Sequence, residues 1–79
     1  MLASKLSVYF NSASKSLEVL HSINESVSLE IYTVLGTKVL SVKNVINKQT
    51  INASGLKTGV YILVGKTPKK FFSKKFLVH

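Results

Sequence analysis

In Val27-Ser28-Leu29-Glu30-Ile31-Tyr32-Thr33, the apolar Val27, Leu29 and Ile31 alternate with Ser28, Glu30 and Tyr32. A two-residue period puts the two sets on opposite faces of an extended chain, which is how a strand buries one face. The next residues, Val34-Leu35-Gly36, are too few for anything but a tight return. Gly36 can take the positive φ that a bulged hairpin requires.

The same period recurs on both sides of this stretch. Leu6, Val8 and Phe10 alternate with Lys5, Ser7 and Tyr9, and Leu17 and Val19 with Ser16 and Glu18. Further on, Val60, Ile62 and Val64 alternate with Tyr61 and Leu63. No segment sustains a 3.6-residue period. Val, Ile and Thr together number 20 against three Ala, and β-branched side chains suit a pleated surface better than a helix. Polar turns fall between the runs, at 11–14, 21–26, 52–55, 57–59 and 66–69. The pattern predicts seven strands at about 5–10, 16–20, 27–33, 38–43, 48–51, 59–65 and 70–78. Short strands at this spacing make a sandwich or a small barrel.

Seventy-nine residues, 46% of them hydrophobic, can bury one core but not two. There is no cysteine, so neither a disulfide nor a thiolate metal site is available. No apolar run approaches the ~18 residues that span a bilayer. All 11 cations are lysines, against Glu18, Glu25 and Glu30, and the net charge is +8. Five of the lysines lie in residues 66–79 without an acid beside them. Lysine on a terminal edge strand discourages edge-to-edge pairing, which is the simpler reading. The other reading is a docking patch for an anionic partner. The lack of arginine weakens base readout, because lysine has no bidentate fork, but leaves non-specific phosphate binding open.

Catalytic groups are scarce. His21 and Glu25 stand four apart, but in a turn, and two groups do not define a metal site. A surface histidine is the expectation for His21, and His79 is expected to fray. No Gly-x-Ser-x-Gly elbow is present, and Gly55, Gly59 and Gly65 lack the spacing of a phosphate loop. The seven aromatics read as core and cross-strand pairs. Phe71 and Phe72 are adjacent and must face opposite sides of a strand.

Three stretches are more specific. They are Leu29-Glu30-Ile31-Tyr32-Thr33-Val34-Leu35-Gly36-Thr37-Lys38-Val39, Ile51-Asn52-Ala53-Ser54-Gly55-Leu56-Lys57-Thr58-Gly59-Val60-Tyr61-Ile62-Leu63-Val64 and Lys74-Lys75-Phe76-Leu77-Val78. In this order and spacing the chain resembles the type A C-terminal sorting domain of the bacterial type IX (Por) secretion system. The resemblance covers nearly the whole chain, and Leu56-Lys57-Thr58-Gly59-Val60-Tyr61 is its most specific part. At the front, Tyr9 and Asn11 match a Tyr-Pro-Asn-Pro opening, with Phe10 and Ser12 where that pattern has prolines. Without the prolines this turn is expected to be looser. Thr33 stands where such domains often carry Asp or Asn.

The resemblance implies an immunoglobulin-like β-sandwich of about seven antiparallel strands, with no catalytic role and no cofactor. It implies residues 1–79 as one sorting domain at the end of a longer secreted protein, with Met1 an added start. Such a domain passes through the periplasm attached to an N-terminal cargo. The outer-membrane type IX machinery then reads it, and a sortase-like peptidase removes it, leaving the cargo at the cell surface or outside the cell. Lys74, Lys75 and Phe76 are the candidates for contact with that machinery. Tyr9, Asn11, Gly36, Leu56, Gly59 and Tyr61 read as structural. Gly36 allows a hairpin, Leu56 plugs an end of the core, a side chain at Gly59 would crowd a turn, and Tyr61 faces away from Val60 and Ile62.

Two further readings remain. A small basic β-domain binding nucleic acid would expose Phe71, Phe72 or Phe76 beside lysines. An adhesion or carbohydrate-binding sandwich would carry an aromatic platform or an Asp-rich Ca²⁺ site, and the chain has no Trp and no Asp.

Overall fold

The structure, a computed structural model, describes residues 6–22 and 26–79. Seven strands follow one another: β1 (Leu6–Asn11), β2 (Ser16–His21), β3 (Val27–Thr33), β4 (Lys38–Val45), β5 (Lys48–Asn52), β6 (Gly59–Lys66) and β7 (Phe71–Val78). They form two antiparallel sheets, ordered β1-β2-β5 and β4-β3-β6-β7. The all-β chain expected from the period is therefore the fold, and of the sandwich and small barrel left open by strand spacing it is the sandwich, as the resemblance implied. β3 and β6 are central in their sheet, and β2 is central in the other. In an immunoglobulin-like sandwich the fourth strand can lie in either sheet; here it pairs with β3.

The core comes from one alternate set of each strand. Leu17, Val19, Val27, Leu29, Ile31, Val45 and Leu63 lose nearly all their exposure. Each contributes roughly 1.5–3 kcal/mol through burial. On β6, where both sets are apolar, the inward set is Tyr61, Leu63 and Gly65. Gly65 is needed for space: a Cβ there would lie 3.2 Å from Val27 Cγ1 and 3.4 Å from Leu6 Cδ2.

β4 runs two residues beyond the sequence expectation, for a specific reason. Val27 pairs with Val45 while Leu29 pairs with Val42, so β4 carries an extra residue between them. Asn44 adopts φ 60° there, and asparagine tolerates this left-handed conformation better than most residues. The resulting bulge returns Val45 to the core. A second bulge sits at Val39, between the pairs Ile31–Leu40 and Tyr32–Lys38.

His21 is not a surface residue. Only 6% of it is exposed. Its Nε2 lies 2.9 Å from the Val45 carbonyl oxygen and 3.1 Å from the Asn47 backbone nitrogen. The backbone N–H of His21 also donates to the Asn47 carbonyl, at 2.7 Å. The expectation failed because a histidine at a strand end looks solvated until the β4–β5 corner folds over it. Glu25, its suggested metal partner, lies outside the described residues. Among the described residues no three His, Cys, Asp or Glu side chains gather as a metal cluster. The ring of His79, an exposed residue, lies edge-on to Phe10, with centroids 5.6 Å apart.

Candidate recognition surfaces

The resemblance residues separate into builders of the fold and residues open to a partner. Asn11 ends β1, and its Oδ1 accepts from the backbone N–H of Ala13 at 3.0 Å and of Ser14 at 3.2 Å. This Asx arrangement holds the β1–β2 turn in place of the prolines. Tyr9, across from Glu18 on the same sheet, faces outward and is 63% exposed.

The β3–β4 hairpin closes as the sequence indicated. Gly36 takes φ 93°, and its N–H donates to the Thr33 carbonyl at 3.0 Å. Thr33 Oγ1 accepts from the Thr37 backbone N–H at 3.2 Å. That hydroxyl supplies the acceptor that Asp or Asn would otherwise provide.

The Leu56-Lys57-Thr58-Gly59-Val60-Tyr61 segment is one device that closes an end of the sandwich. The Tyr61 hydroxyl donates to the Lys57 carbonyl, four residues upstream, at 2.7 Å. A tyrosine at the start of this strand bonding back to its own approach loop is the tyrosine corner of immunoglobulin-like folds. The Tyr61 ring stacks on Phe76, with centroids 5.8 Å apart and planes at 21°. Leu56 is partly buried and packs against the core. The reason given for Gly59 needs correcting. Nothing lies within 4 Å of a Cβ placed there; glycine is required because φ is +154°. Leu56 and Tyr61, with Thr33, Val39 and Leu40, line an open groove of about 390 Å³.

Lys74, Lys75 and Phe76 do not form one patch. Phe76 lies inward, 8% exposed. Lys74 pairs across from the buried Leu63, so it stands in the inward row of β7 yet remains exposed. An inward-set lysine on an edge strand is a recognised obstacle to strand addition, and β7 is an edge. Lys75 stands on the outer face opposite Ile62, open to solvent. Phe71 is 75% exposed, Phe72 half-buried against the core and Phe10 buried. Only Phe71 therefore meets the aromatic requirement of the nucleic-acid reading, beside Lys66 and Lys70.

The ionic cluster on the four-stranded sheet was missed in the sequence, because it joins three strands. Glu30 Oε1 accepts from the Tyr32 hydroxyl at 2.8 Å. Lys66 Nζ lies 3.0 Å from the same oxygen and Lys38 Nζ 3.5 Å from Oε2. The Tyr32 hydrogen bond first, and that of Lys66 second, hold the Glu30 carboxyl down at about 2. The bond to Glu30 in turn raises both Tyr32 and Lys66.

No helix among the described residues is long and apolar enough to cross a membrane. The sequence model of a family described as secretion system C-terminal sorting domain matches residues 7–79. No curated protein matches the chain.

Proposed function

The chain belongs to the secretion system C-terminal sorting domain family, and we propose that it directs an attached cargo across the outer membrane through type IX machinery. The family match over residues 7–79 carries this reading. The arrangement supports it, since the most specific motif builds the Tyr61 corner and the Leu56 plug rather than a reactive centre. A signal read by contact needs a rigid surface and no chemistry of its own. The domain passes through the periplasm at the C-terminal end of its cargo. A sortase-like peptidase removes it, and the cargo ends at the cell surface or outside the cell. Lys75 is a contact residue, whereas Phe76 supports the surface from beneath.

The test is export of a fluorescent reporter fused ahead of the full chain and carrying an N-terminal export signal. The host has a type IX system, and a matched strain lacks the translocon. Reporter outside the first strain and inside the second is the expected result. Reporter held in the periplasm of both, while another member of the family exports normally, overturns the reading.

A further inference from the structure

The two outer faces of this sandwich differ in character. That of the three-stranded sheet carries Ser7, Tyr9, Glu18, Lys48 and Thr50, with Leu20 the apolar exception. This is the usual solution for an antiparallel sheet with one wet side. The four-stranded sheet breaks the pattern along β6 and β7. Val60, Ile62 and Val64 point outward from β6, and Leu77 stands across from Val60. Val60 is 42% and Leu77 52% exposed. Ile62 and Val64 are half-buried. Lys75 stands beside this row, paired with Ile62, and Lys66 and Phe71 close its end.

We propose that this outer face of β6 and β7, with Val60, Ile62, Val64 and Leu77 at its centre and Lys75 beside them, docks a protein partner that presents an apolar patch rimmed by carboxylates. The proposal rests on the sorting reading, in which the partner is the reading component of the secretion machinery.

Charge complementarity selects this occupant. The ion pairs of the described residues both use Glu30, which Lys66 and Lys38 already neutralise. Neither ion pair of the described residues involves Lys75, and a carboxylate on a partner would complement it. A second copy would oppose lysine to lysine across a face of a chain with net charge +8. A lipid surface fits less well, because Ile62 and Val64, at the centre of the row, are half-buried rather than fully exposed. At ordinary strand spacing and rise, two strands of eight residues present roughly 250 Å². That lies at the small end of interface sizes, where transient recognition operates. An apolar centre with a charged rim is the usual anatomy of such a contact.

The test uses the reporter fusion above with three variants. Val60→Thr/Leu77→Thr makes the face polar with β-compatible side chains, Lys75→Glu reverses the rim, and Leu20→Thr alters the opposite sheet. Circular dichroism and thermal melting of each purified chain establish that it folds. Export is expected to fall about tenfold in the double variant and severalfold in Lys75→Glu, with Leu20→Thr unchanged. Normal export of both folded face variants overturns the proposal while leaving the sorting reading intact. Failure of the unaltered chain overturns the sorting reading, and the proposal with it. Two other results overturn the occupant. One is a dimer of the purified chain in sedimentation that Val60→Thr/Leu77→Thr abolishes. The other is binding to phosphatidylglycerol vesicles, or to single-stranded DNA, that the same variant abolishes.

Discussion

The Nε2 of His21, at the end of β2, lies 2.9 Å from the carbonyl oxygen of Val45, at the end of β4. The two strands belong to different sheets, so one buried imidazole ties the sheets together. With the proton on Nε2 the ring donates to Val45; in the other tautomer Nε2 accepts from the Asn47 N–H. Replacing His21 with Phe keeps much of the volume and removes the polar atoms. A loss of about 1–3 kcal/mol is expected, as for a buried hydrogen bond left without its partner. It reads as a lower urea midpoint with an unchanged slope. An unchanged midpoint would show that the imidazole only fills space.

Glu30 predicts an acid-dependent stability. Its folded pKa of about 2 lies below the ordinary 4.5. Its contribution is therefore complete above about pH 4.5 and is lost as the pH falls towards 2. Glu30→Gln is expected to be less stable than the parent at pH 7, with the gap closing over that window. Because the carboxylate lies at the surface, added salt should narrow the gap at pH 7. Thermal melts at several pH values check this, and a gap that stays constant from pH 7 to pH 2 contradicts it.

Two glycines should respond differently to alanine. At Gly65 the new Cβ meets Val27 and Leu6 in the core, and overpacking of this kind costs about 1–3 kcal/mol. At Gly55 nothing lies within 4 Å, and a change within about 0.5 kcal/mol is expected, as for other open surface sites. Urea denaturation of the two variants side by side gives the comparison. Equal effects would mean that Val27 and Leu6 yield without cost.

Tyr61→Phe isolates the corner hydrogen bond. The ring keeps its stack on Phe76 and loses only the bond to Lys57, so the expected cost is about 0.5–1.5 kcal/mol. Hydrogen exchange in the 53–58 loop should quicken more than in β3. Uniform acceleration across both would show that the hydroxyl does not act locally.

Ser12→Pro restores one of the two prolines of the opening motif. Ser12 follows Asn11 at the first corner of the β1–β2 turn, and Asn11 is still extended, as a residue before proline prefers. A gain of about 0.4–1 kcal/mol is expected, from a more restricted unfolded chain. Phe10→Pro should do the reverse, since Phe10 is a core residue. A rise in melting temperature for both would contradict this division.

Alternation, β-branched residue usage and the polar turns between runs were enough to place all seven strands, because these are local properties of the chain. β3 at Val27–Thr33 falls on its sequence bounds, and the others differ by one or two residues. The family could also be read, because Leu56, Gly59 and Tyr61 are close in sequence and answer to one corner. Where both residue sets of a strand were apolar, as on β6, the period could not say which faced the core. That depended on Gly65 fitting against Val27 and Leu6, a contact between distant segments. The buried state of His21, the Glu30 cluster and the division of Lys74, Lys75 and Phe76 among three settings were decided in the same way. Each depends on which strands lie side by side or on which sheet covers which. No local pattern encodes those pairings, and only closure of the sandwich fixes them.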